Sequence, residues 1–147
     1  MTYEEKIEFL KSYKNIERAM EKTNLEIEEF RLAKMCPSAK IGDGMPHGSN
    51  TSDLSDYAAE LDAKIRKLLK LNKQRQKALI NITDSINTLS DQIEQDVLFH
   101  HYILDENWSE VAEYIQYSES QTYEYRNRAI KNLQVIGVPV LDKESED

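Results

Sequence analysis

Two stretches of this chain carry side chains whose types and spacing suit chemistry. Lys64, Arg66, Lys67, Lys70, Lys73, Arg75 and Lys77 form its only concentrated basic run. On a helix Arg66, Lys70, Lys73 and Lys77 share one face at four-three-four spacing, and Arg66 is the best placed to grip a phosphate with both arms of its guanidinium. The functional reading of that face is contact with phosphate or with an acidic partner; the plain one is a solvated face that balances nearby carboxylates. The second stretch gathers Ser118, Ser120, Gln121, Tyr123, Glu124, Arg126, Asn127, Arg128 and Lys131. Amides of Asn and Gln can pair with adenine, Glu can accept from cytosine, and Arg and Lys hold phosphates. Arg128 could equally pair with a carboxylate inside the protein.

Other chemistry is poorly served. Cys36 and His47 are two metal-ligating side chains where a closed zinc site needs four, so no metal is expected. His100 and His101 are adjacent, and on a helix they point about 100° apart, which prevents a two-ligand pair on one face. They read as one packed and one exposed residue. The chain has no Gly-rich phosphate loop and no nucleophile–base–acid set, so neither an enzyme nor a cofactor is expected.

The elements that position the second stretch are legible between residues 107 and 133. Asn107 followed by Glu110, and Ser118 followed by Gln121, are two capping boxes, each opening a short amphipathic helix. Tyr117 occupies the staple position before the second cap. Ala112, Ile115, Tyr125, Ala129 and Leu133 keep one side of each helix inward. Two short helices joined by a tight turn form the helix-turn-helix pattern, whose second helix enters a DNA major groove. Ser120, Gln121, Tyr123, Glu124 and Asn127 would face that groove, with Arg126, Arg128 and Lys131 on phosphates.

Three segments also carry a family resemblance: Trp108-Ser109-Glu110-Val111-Ala112-Glu113, then Tyr117-Ser118, then Arg128-Ala129-Ile130-Lys131-Asn132-Leu133. They resemble DNA-binding region four of bacterial sigma factors. They are still more similar to small sigma-like transcription regulators of phages of Gram-positive bacteria. Upstream, Gly44-Met45-Pro46-His47-Gly48-Ser49 before a long helix looks like the same phage proteins. The turn departs from that family in carrying Gln116 where glycine is usual, and Glu119 stands where sigma factors often place a basic residue. The resemblance implies promoter or operator DNA as ligand and RNA polymerase as a partner.

The rest of the chain reads as scaffold. Thr2 with Glu5 opens a helix to about Lys34, with apolar positions at Tyr3, Ile7, Leu10, Tyr13, Ile16, Met20, Ile27 and Phe30. Pro37 stops it, and a Gly/Pro/Ser-rich loop spans 36–52. Ser52 is the expected cap of a second long helix. Its seam runs Leu54, Ala58, Leu61, Ile65, Leu68, Asn72, Arg75, Leu79, Ile82, Ile86 and Leu89, alternating four and three as in a coiled coil. Folded back as an antiparallel hairpin, the first helix would offer Glu8 or Glu17 to Asn72 and Arg75. Pairing between two copies, a homodimer, is the competing arrangement. Poor helix formers between Asn81 and Ser90 suggest the domain boundary, and Asp91 with Glu94 opens a further helix bearing Ile93, Val97, Leu98 and Tyr102. Gly137 is the expected stop of the last helix, and Val135–Leu141 is expected to strap back onto the domain. The expectation is thus an all-α chain: a long antiparallel, coiled-coil-like two-helix hairpin over 1–89, a compact helix-turn-helix domain over 90–141, and an acidic tail at 142–147.

Charge cuts against simple DNA binding. The 147 residues carry a net charge of −8, with 39% hydrophobic and 31% charged residues. Residues 84–133 hold ten acids against three bases, whereas 63–83 hold seven bases and no acid. An acidic surface repels phosphates at long range, so two function classes stand. One is a DNA-binding transcription regulator; the other is a protein-interaction module acting on RNA polymerase or another phage protein. A single cysteine excludes an intramolecular disulfide, and no apolar run approaches the roughly 18 residues of a membrane span. The expected location is the cytoplasm.

Overall fold

A computed structural model describes residues 1–35 and 50–137. These residues are all helical apart from short connections, with no strand among them. Helix α1 is Tyr3–Met35, α2 Asn50–Ile86, α3 Gln92–Leu98, α4 Trp108–Ile115 and α5 Glu119–Asn132, and a wide π-helical turn, Phe99–Ile103, follows α3. No described helix is long and apolar enough to cross a membrane. Cys36 and His47, the segment 44–49 and the expected 142–147 tail lie outside the described residues.

The capping box at the start of α1 forms as expected: the Glu5 N–H donates to Thr2 Oγ1 (3.1 Å) and the Thr2 N–H to Glu5 Oε1 (2.9 Å). Helix α2 opens at Asn50, two residues ahead of the expected Ser52 cap. Near its other end the polar run does not break the helix at Asn81. Hydroxyls of Thr83 and Ser85 donate to the carbonyls of Leu79 (2.8 Å) and Asn81 (2.7 Å), so their hydrogen-bonding capacity is satisfied within the helix. The helix ends at Ile86 in a tightened turn, where the Thr88 hydroxyl takes the Ser85 carbonyl (2.6 Å).

The long helices pack together, but the described chain divides into two compact units inside them. One comprises Met1–Glu17 with Gln74–Asp147, the other Arg18–Lys73. The division therefore falls within the helices, away from residue 90. The reason is coverage. In the first unit α1 supplies Phe9, Leu10, Tyr13 and Ile16 and α2 supplies Ala78, Ile82 and Ile86. The shorter elements add Leu89, Val97, Leu98, Tyr102, Val111, Ala129, Ile130 and Leu133, all buried. Among the described residues of the second unit the two helices have only each other. There Thr23 and Ile27 are buried, Phe30 stacks on Tyr57 (5.1 Å between centroids) with the Lys64 ammonium 5.4 Å over its ring, and Leu54 is 67% exposed. The seam is hence deep at Ile82, Ile86 and Leu89 and shallow at Leu61, Ile65 and Leu68.

The polar seam position Arg75 pairs with Glu17 (Nη1–Oε2, 3.3 Å), while Glu8 stays exposed. Burial, reinforced by Glu17, pushes the Tyr13 phenol above its usual pKa of 10.0. Gly137 is not the stop of the last helix. Helix α5 ends at Asn132, Leu133 is extended, and the strap follows at once: the Gln134 N–H donates to Thr88 Oγ1 (3.3 Å) and the Ile136 N–H to Ser85 Oγ (2.7 Å). Backbone hydrogen bonds hold this strap, and Ile136 itself is 42% exposed. At Gly137 (φ +85°) a Cβ would fall 2.5 Å from the Asn81 side chain; residues 138–141 of the expected strap lie outside the described residues.

Candidate nucleic-acid interface

The polar residues at 118–131 are positioned by two short capped helices. Asn107 Oδ1 accepts the Glu110 N–H (2.8 Å) and Glu110 Oε1 accepts the Asn107 N–H (2.9 Å), which sets the start of α4. Ser118 Oγ accepts the Gln121 N–H (3.1 Å), and Gln121 Oε1 accepts the Ser118 N–H and hydroxyl (3.3 Å each), which sets the start of α5. Between them Gln116 takes the left-handed conformation (φ 64°, ψ 45°), and the N–H groups of Gln116 and Tyr117 both donate to the Ala112 carbonyl at 2.8 and 3.1 Å. Tyr117 packs edge-on against Tyr125, 5.1 Å between ring centroids.

Helix α5 packs on α3 and α4, burying Thr122, Ala129 and Ile130. Its other side exposes Ser120, Gln121, Glu124, Asn127 and Lys131. The basic groups expected on phosphates are distributed differently. Arg128 Nε lies 3.4 Å from Oε2 of Glu94, a carboxylate only 5% exposed, and its guanidinium stacks 4.7 Å over Tyr125. Its place is thus inside the domain's own ion pair. Arg126 lies over the rings of Trp108 and Tyr123 (5.5 Å each) and donates through Nε (3.2 Å) and Nη2 (2.9 Å) to Asn127 Oδ1. Tyr123 is tied to that stack, 5.6 Å from Trp108, rather than presented alone. Lys131 stays exposed in the last turn.

Residues from α1 and the π-helical turn complete the site, and sequence reasoning missed them. The Tyr3 hydroxyl donates to Asn127 Oδ1 (2.9 Å), and Lys6 Nζ donates to the Lys131 carbonyl (3.1 Å). His101 stacks on Trp108 (3.8 Å, 17°), and its Nδ1 donates to the Glu106 carbonyl (2.8 Å), so that nitrogen carries the proton. Burial lowers the His101 pKa, with Lys14 and Arg126 adding repulsion to its protonated form. His100 stacks on Tyr114 (3.9 Å) and meets Glu106 Oε1 (3.0 Å). Both histidines are therefore half-buried packing residues. Lys14 bridges the His101 carbonyl (3.1 Å) and Asp105. Only the polar tips of Tyr3 and Lys6 hinted at such roles, and nothing local said which helix they would reach.

The face of α2 that carries Arg66, Lys70, Lys73 and Lys77 is solvated. Arg66 pairs with Asp62 one turn earlier (3.0 Å), both well exposed, and Lys70, Lys73 and Lys77 are exposed. Exposed pairs of this kind stabilise by less than about 1 kcal/mol, so Arg66 can exchange Asp62 for another anion at little cost. Among the described residues no cluster of three or more His, Cys, Asp or Glu could hold a metal ion. No known protein family, curated protein or solved structure matches this chain.

Proposed function

We propose that this protein is a transcription regulator of the sigma-region-four-like, phage type, which lays α5 in the major groove of promoter DNA as the second helix of a helix-turn-helix. One observation carries the reading: two capped helices joined by a left-handed turn, the second burying Thr122, Ala129 and Ile130 and exposing Ser120, Gln121, Glu124, Asn127 and Lys131. From Ser118 to Leu133 the chain carries two acids and three bases, so the contacting helix is locally favourable although residues 84–133 are acidic. The missing long-range attraction would come from RNA polymerase, from a second copy, or from Arg66, Lys70, Lys73 and Lys77. The cytoplasm is the matching location.

The interaction-module reading is favoured by a specific observation. Arg126 and Arg128, two of the three bases of the motif, are engaged within the domain. Mobility shift on mixed-sequence duplexes separates the two. The regulator reading expects weak binding that falls about 10- to 50-fold between roughly 50 and 200 mM salt, as release of a few counterions requires. No shift at low salt, alone or with RNA polymerase, leaves the interaction module in its place.

A further inference from the structure

Both amides on the exposed side of α5 have their oxygens engaged within the protein. Gln121 Oε1 accepts from the N–H and hydroxyl of Ser118, and Asn127 Oδ1 accepts from the Tyr3 hydroxyl and from Nε and Nη2 of Arg126. A guanidinium only donates, so the atom of Asn127 turned towards Arg126 must be its oxygen. Reversing Gln121 would likewise set its NH2 group against the Ser118 N–H. Each amide therefore turns only its NH2 group outward. Glu124, exposed midway between them, has a carboxylate that accepts. Three-residue steps advance these side chains by about 60° each around the exposed side. Along the helix they present a donor, an acceptor and a donor.

Resting on the DNA-binding reading above, the geometry points to α5 as a reader of G·C pairs, with guanine against Gln121 and Asn127 and cytosine against Glu124. In the major groove guanine offers two acceptors, N7 and O6, to one NH2 group. Adenine offers an acceptor beside an amino donor and needs both ends of an amide, one of which is withheld here. Cytosine's amino group would meet a second donor at either amide but suits the carboxylate of Glu124. The ordinary pairing of Gln and Asn with adenine is thereby reversed.

Selection from a pool of random duplexes with the full chain at low salt, followed by sequencing, tests this. Guanines at two positions with a cytosine between them in the contacted order is the expected result, each wrong base costing about 5- to 100-fold. In Glu124→Gln the new amide has no capping partner, so the cytosine position should change to adenine. Circular dichroism confirms that the exposed substitution leaves the fold intact. Bound duplexes with adenine at the outer positions, bound duplexes without base preference, or a Glu124→Gln variant that still selects cytosine would overturn the base assignment and leave the regulator reading standing. No duplex retained at low salt, alone or with RNA polymerase, would overturn both.

Discussion

Replacing Gln116 with glycine should stabilise the first unit. The residue holds φ 64° and ψ 45°, a region where the Cβ of an L-residue crowds the following carbonyl at about 1–2 kcal/mol. Glycine adopts it without that cost, and both hydrogen bonds to the Ala112 carbonyl come from backbone N–H groups that the substitution keeps. Against the gain stands the wider freedom of glycine in the unfolded chain, about 0.4–1 kcal/mol. The difference is a net stabilisation of about 0.5–1 kcal/mol, or about 2 °C in Tm for a chain of this size. Gln116→Val moves the other way, since a β-branched side chain at positive φ is more crowded still. Trp108 is the chain's one tryptophan and belongs to the first unit, so its fluorescence during guanidinium unfolding reports this unit directly. A glycine variant less stable than the native chain by 1 kcal/mol or more, or a neutral valine variant, would refute the strain argument.

Arg128→Ala should cost about 1–2 kcal/mol, more than an ordinary surface pair, because it strands the buried Glu94 carboxylate and removes the stack on Tyr125. Adding Glu94→Leu should recover most of that loss. Unchanged stability together with weaker DNA binding would instead make Arg128 a phosphate contact. Acidification should loosen the first unit through His101. Its folded pKa lies below the ordinary 6.5, so the neutral ring's contribution is complete above that value and is lost as pH falls through the folded pKa. Trp108 fluorescence should therefore change with a midpoint below 6.5, and His101→Phe should flatten that limb. A midpoint at or above 6.5 would contradict burial as the dominant cause.

Local patterns were readable wherever the interaction is between near neighbours. The capping boxes at Thr2, Asn107 and Ser118, the two long apolar stripes, and the inward side of α5 follow from three- and four-residue spacings that operate within one helix. The Arg75–Glu17 pair was within reach because folding two matched helices back on each other leaves few partners for a seam cation. The last helix stops ahead of the expected Gly137, since the strap from Leu133 is drawn off the helix by the Ser85 and Thr88 hydroxyls, which are distant in sequence.

The sequence by itself determined an all-helical chain, the places where its short helices begin, and which side of each is apolar. Only the tertiary structure decided how the side chains of α5 are used. Tyr3, Trp108 and Glu94 reach Asn127, Arg126 and Arg128 across long stretches of chain, so no periodicity records them. Those contacts occupy the Asn127 amide oxygen and engage the guanidinium groups of Arg126 and Arg128 within the protein. An arginine or asparagine has the same capacity at any exposed position; its neighbours from other helices decide which atoms remain to meet a ligand.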